Sequence, residues 1–179
     1  MTTYIALLRG INVGGNNMVA MADLRALLTR LGFQDVKTVL QSGNVVFRAR
    51  TQPTAKLEAQ LERELAKGLG VTCDIHVRTA DEWQAMVKAN PYAAEARRDP
   101  GHLHVTCFKT PLDKAKVKMV QGEITGREVL TADGRHLYMV FPDGMGTSKA
   151  TPLVARRLPG GTARNWNTVL KLATLVSPT

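Results

Sequence analysis

Residues 4–8, Tyr-Ile-Ala-Leu-Leu, form an unbroken apolar run. Such a run predicts a strand buried on both faces. Met21, Leu24, Leu27, Leu28 and Leu31 then recur at helical spacing, with Gly32 as a natural stop. Two short runs at 36–40 and 45–47 read as strands around Gln41-Ser42-Gly43-Asn44, which has the composition of a hairpin turn. Pro53 suits the first turn of a second helix, whose stripe is Leu57, Leu61 and Leu65. Val71, Cys73, Ile75 and Val77 alternate with polar residues as a strand with one wet face.

The resulting order over residues 1–78 is strand, helix, strand, strand, helix, strand. This is the split βαβ or ferredoxin-like plait, an antiparallel sheet with both helices on one face. Because the first strand is apolar on both sides, the helix-free face is expected to be covered by a second domain or a partner chain.

The second half begins with a capping box, Thr79-Ala80-Asp81-Glu82, ahead of the helical stripe Trp83, Met86 and Val87. Residues 95–101 are charged, contain Pro100 and read as surface loop. Leu103, Val105 and Cys107 alternate with His102, His104 and Thr106 as a strand. A short helix over 113–120 and two strands, 124–130 and 136–141, follow. Thr151 with Pro152 is expected to open another helix, and Thr162 to cap the last one, with its stripe of Trp166, Val169, Leu170 and Ala173. The fold class is therefore α+β, two ferredoxin-like plait subdomains, the second spanning 79–179 with C-terminal helices.

Composition narrows the setting. No apolar run approaches a membrane span, the first residues lack the pattern of a signal peptide, and two cysteines cannot build a disulfide scaffold. A cytoplasmic protein is expected. The net charge is +9, and from Gly144 onward Lys149, Arg156, Arg157, Arg164 and Lys171 meet no acidic residue. That excess suits a polyanion, a phosphorylated small molecule or an acidic partner, and equally a merely solvated basic surface. The strand Asn44-Val45-Val46-Phe47-Arg48 lacks the paired aromatics of an RNA-recognition sheet.

Three segments carry the candidate chemistry. Gly10-Ile11-Asn12-Val13-Gly14-Gly15-Asn16-Asn17 lies between a strand and a helix, where glycine and asparagine permit left-handed backbone and leave N–H groups for an anion. The same composition serves a tight loop whose asparagines cap its own backbone. It is neither a P-loop nor a dinucleotide fingerprint. Gly144-Met145-Gly146-Thr147-Ser148-Lys149 is a second candidate, and Thr162-Ala163-Arg164-Asn165-Trp166-Asn167 the third. An arginine at a helix start opposes the macrodipole, so Arg164 would be placed to reach something else. The histidines, His76, His102, His104 and His136, form no metal-ligand pattern, and no nucleophile motif is present, so neither metal nor cofactor is expected.

The blocks Ala6-Leu7-Leu8-Arg9-Gly10-Ile11-Asn12-Val13-Gly14-Gly15-Asn16, Ser42-Gly43-Asn44-Val45-Val46-Phe47, Phe141-Pro142-Asp143-Gly144 with Ser148-Lys149, and Gly161-Thr162-Ala163-Arg164-Asn165-Trp166-Asn167 resemble the bacterial DUF1697 family. The resemblance implies two plait-like subdomains and no known activity, cofactor or catalytic residue. The leading expectation is a protein that binds a small anionic or phosphate-containing ligand. Arg9, Lys149 and Arg164 would supply charge, and Gly14 and Gly15 backbone N–H groups. Asn12, Asn16, Ser42, Asn44, Asn165 and Asn167 would orient the ligand. Nucleic-acid binding through a basic surface, an enzyme for a phosphorylated substrate, and a scaffold without ligand chemistry are the alternatives.

Overall fold

The computed structural model describes residues 1–177. Residues 1–85 and the C-terminal residues from Leu172 form one compact unit, and residues 86–171 the other. The first unit contains β1 (Thr2–Leu8), α1 (Met21–Arg30), β2 (Gln34–Val39), β3 (Asn44–Ala49), α2 (Thr54–Leu69) and β4 (Ile75–Thr79). Its antiparallel sheet has the order β2-β3-β1-β4, the expected plait.

One face of this sheet meets the helices. Tyr4, Ala6, Leu8, Val45, Phe47 and Val77 pack with Leu24, Leu27, Leu28, Leu57, Leu61 and Leu65. Phe47 stacks on Tyr4 and on Phe33, with ring centroids 5.7 and 4.8 Å apart. On the opposite face Ile5 lies between Val46 and Arg78, and Leu7 between Asn44 and His76. All six are buried, so β1 is buried on both sides as its sequence requires.

The capping box ahead of α3 (Ala80–Lys88) is formed reciprocally. Glu82 accepts from Thr79 N–H at 2.8 Å, and the Thr79 hydroxyl oxygen accepts from Glu82 N–H at 3.1 Å.

The second sheet joins β5 (Leu103–Cys107), β6 (Val129–Asp133), β7 (His136–Val140) and β8 (Thr162–Asn165) in the order β6-β7-β5-β8, a second plait. Its helix face packs Leu130, Leu137, Met139 and Phe141 against Val117 and Val120 of α5 (Lys114–Glu123) and Ala150 and Val154 of α6 (Ala150–Arg157). Labelled in chain order, α4 is Ala93–Arg98 and α7 is Trp166–Val176.

Four local expectations are corrected. Residues 95–101 are not all loop, because α4 covers Ala93–Arg98. With no residue of it buried, α4 leaves no apolar stripe in the sequence. Thr162 does not cap the last helix but begins β8, and Asn165 takes the capping role, accepting from Thr168 N–H at 3.0 Å. At α6 the N-cap is Lys149 rather than Thr151 and makes no side-chain cap, while the Ser148 hydroxyl just before it accepts from Ala150 N–H at 3.1 Å. The strand predicted from Val71 begins only at Ile75.

Candidate functional site

The loop between β1 and α1 owes its shape to left-handed backbone. Gly10, Asn12, Gly14, Gly15 and Asn17 all have φ between 48° and 77°. Asparagine tolerates this region because its short side chain bonds locally. Asn12 does so three times: its Oδ1 accepts from Val19 N–H at 2.8 Å, and its Nδ2 donates to the carbonyls of Val19 at 3.0 Å and Gln41 at 2.7 Å. One side chain thus closes the loop and ties it to the β2–β3 turn. The remaining closures are Asn12 N–H to Asn17 O and Asn16 N–H to Val13 O.

Within this frame the N–H groups of Gly14 and Gly15 donate to no atom among the described residues. A Cβ at either glycine would meet nothing within 4 Å, so both backbones border open space. Asn16 is exposed beside them. Arg9 flanks the loop and pairs with Asp74 at 3.1 Å, both side chains being about half exposed.

Ser42 and Asn44 are in the same unit but serve the β2–β3 turn. Asn44 is buried and donates to Val39 O at 2.7 Å and to the Ser42 hydroxyl at 3.0 Å. Gly43 is required here, since its φ is +77° and a Cβ would come within 2.9 Å of Leu8 Cβ.

In the second unit Lys149 is exposed and lines a depression of about 250 Å³ shared with Glu123, Glu128 and Asp143. Ser148 donates to Glu128, and Arg127 pairs with Asp143. These carboxylates leave little unbalanced positive field for an anion.

Arg164 is not at a helix start. In β8 its side chain is buried on the helix-free face, in the row of Tyr138 and Val105. Its Nη1 donates to the Thr162 hydroxyl at 2.9 Å and to Ala163 O at 2.8 Å. Burial pushes the guanidinium down to about 10, with Cys107 acting in the opposite sense. Asn165 is used as the cap of α7, and Asn167 is exposed.

Sequence reasoning missed three features. Arg78 on β4 is 1% exposed and donates to Val77 O at 2.8 Å, though the alternation of its strand assigns it to a wet face. Leu40 combines a left-handed φ of 61° with 52% exposure, next to the Gln41 carbonyl that Asn12 holds. Val13 and Met18 are both 65% exposed on the loop itself. Charge patterning carries no trace of these apolar positions. Among the described residues no group of three His, Cys, Asp or Glu side chains is placed to hold a metal ion, and no helix is long and apolar enough to cross a membrane.

Two antiparallel plaits and a pinned glycine–asparagine loop define an α+β protein of paired ferredoxin-like topology. The chain belongs to the DUF1697 family, described as protein of unknown function, whose model matches residues 1–138. Lys149, Arg164, Asn165 and Asn167 lie beyond the matched residues. A similar solved structure is that of conserved bacterial protein SP0830 from Streptococcus pneumoniae, 26% identical over 98% of each chain with a TM-score of 0.77. No curated protein matches the sequence.

Proposed function

We propose that the chain binds a small phosphate-containing anion at the loop between β1 and α1. The observation that carries this reading is the pair of exposed N–H groups at Gly14 and Gly15, unbonded within a loop that Asn12 holds fixed. Successive backbone N–H groups around left-handed residues form the concavity that accepts phosphate or carboxylate oxygens. Rigidity helps because the ordering cost is met on folding rather than on binding. Arg9 adds charge at the rim when it exchanges Asp74 for the ligand. In this reading Asn12, Ser42 and Asn44 shape the receptor without touching the ligand, and Arg164 belongs to the second sheet.

The test is an amide NMR titration of the whole chain with inorganic phosphate and with a nucleoside monophosphate. The amides of Gly14, Gly15 and Asn16 are expected to shift saturably, and Asn12→Ala to weaken binding at least about tenfold by releasing the loop. Unmoved loop amides up to about 10 mM ligand would end the proposal.

A further inference from the structure

Leu40 stands where folding would favour another residue. Four non-glycine residues among the described ones have a positive φ, and three of them, Asn12, Asn17 and Asp35, are of the types that tolerate it. Leu40 is the fourth, with φ 61° and 52% exposure. A glycine would adopt the same backbone without crowding, and an exposed leucine adds no burial in return. This residue is therefore unfavourable to the fold in backbone and in side chain alike.

Two more apolar residues stand around the same point. Asn12 bonds through its side chain to Val19 and to the Gln41 carbonyl. Val13 follows Asn12 in the chain, Met18 precedes Val19, and Leu40 precedes Gln41. All three are thus direct chain neighbours of one hydrogen-bonded cluster. Eight large hydrophobic residues are exposed among the described ones, and this cluster gathers three of them. Singly exposed apolar residues are ordinary, whereas a group of them beside polar groups marks a contact site. The polar groups here are the N–H groups of Gly14 and Gly15, which Val13 and Met18 flank in the chain on either side.

The size of the group narrows the class of ligand. Three residues fall far short of the roughly 20–30 residues a side of a stable protein interface. Nor do loop residues supply the amphipathic helix that lies in a bilayer surface. They match the hydrocarbon part of a small molecule. On the Arg9 side of the loop, a depression of about 530 Å³ carries the carboxylates of Glu62 and Asp74 and is no place for hydrocarbon. A ligand held by two N–H groups, with apolar residues beside them, is charged at one end and apolar at the other.

We infer that the anion bound at this loop is a phosphate ester of an apolar alcohol, its phosphate on the Gly14 and Gly15 N–H groups and its hydrocarbon part against Val13, Met18 and Leu40. This inference rests on the loop reading above and adds the nature of the group that the phosphate carries.

The test is an amide NMR titration of the full chain with inorganic phosphate, glycerol phosphate, 1-hexanol, and the ethyl, butyl and hexyl monoesters of phosphate. A fully buried methylene strengthens binding about fourfold, and one laid against an open surface about twofold. Hexyl phosphate is therefore expected to bind roughly 16-fold tighter than ethyl phosphate. The double variant V13S/M18S should reduce that ratio to about threefold or less. Leu40→Gly should also reduce it while keeping or raising the melting temperature, because glycine takes up the left-handed backbone without strain. A variant that is no less stable and yet binds hexyl phosphate less well does not owe the loss to unfolding. Equal binding of the ethyl and hexyl esters would overturn the inference and leave the phosphate reading intact, whereas unmoved loop amides with every ligand would end both. A ratio unchanged in both variants, tighter binding of glycerol phosphate than of hexyl phosphate, or 1-hexanol binding as tightly as its phosphate ester would each overturn it as well.

Discussion

The two plaits solve the same topological problem with different loops. In the first, β1 reaches α1 through residues 9–20, with five of the twelve backbones left-handed. In the second, β5 reaches α5 through residues 108–113, and none of those six has a positive φ. Six residues therefore suffice for the connection. The longer loop holds exposed Val13 and Met18 and two unbonded glycine N–H groups. Ordering each extra residue costs about 1–2 kcal/mol in backbone entropy. Ile11 and Val19 offset part of that cost by joining the first core, whereas residues 13–18 are all exposed.

At the edge strand beside the first strand of each unit, the two plaits agree position for position. Ile5 and Val105 sit in the central strands, each flanked on the edge strand by a buried arginine, Arg78 and Arg164. Each arginine donates to the carbonyl just before it, at 2.8 Å in both cases. The next residue, Thr79 or Asn165, caps the helix that follows.

The largest test of this likeness is at the two crowded glycines. An alanine at Gly43 would combine a left-handed φ with a Cβ 2.5 Å from Ile11 Cδ1, and one at Gly161 would place it 2.4 Å from Thr106 Cγ2 and 2.7 Å from Phe108 Cζ. Gly43→Ala is expected to cost about 3 kcal/mol or more and Gly161→Ala about 2–3 kcal/mol in urea denaturation. A neutral Gly161→Ala would mean that the segment entering β8 is loosely seated.

Next come the arginines. Arg78→Ala should destabilise by about 3 kcal/mol and Arg164→Ala by about 2, following their burial, while methionine at either site should recover much of the loss through packing. A methionine variant as damaged as the alanine one would locate the contribution in the charge.

The smallest effect separates Tyr4 from its counterpart His104. The Tyr4 hydroxyl donates to Gln52 O at 3.0 Å, whereas His104 Nδ1 is buried with no hydrogen-bond partner among the described residues. Burial, and then the neighbouring His102, lower the His104 pKa. The unfolded chain therefore takes up the proton first, and stability falls as pH drops below about 6.5 toward the folded value. Denaturant midpoints measured from about pH 7.5 to 5 should fall further in the wild type than in His104→Gln. Parallel curves would show that His104 bears no proton-linked cost.

The first plait was legible because each element advertises its period, from the leucine stripes of α1 and α2 to the apolar run of β1. The second was less so. Strand β8 is only Thr-Ala-Arg-Asn, with one aliphatic side chain and no long apolar residue, so the apolar residues from Trp166 onward dominated its reading. The same short strand misplaced Arg164, because a strand turns alternate residues to one face and carries the guanidinium inward. At the loop, residue types announced unusual backbone but not which asparagine would spend its side chain on the loop itself. Only the carbonyls of Val19 and Gln41, brought there by the fold, decide that for Asn12.

The buried arginines have a consequence for how the molecule behaves in a crowd. β4 and β8 are edge strands, each with one rim of backbone N–H and C=O groups not matched by a neighbour in its sheet. An uninvited strand that docked there would extend the row containing Arg78 or Arg164, and would set its own side chain against a guanidinium. Inward-pointing charge of this kind discourages sheets from growing by addition. At β4 the rim is covered as well, because the N–H groups of Ile75, Val77 and Thr79 donate to the carboxylates of Glu62, Glu58 and Glu82.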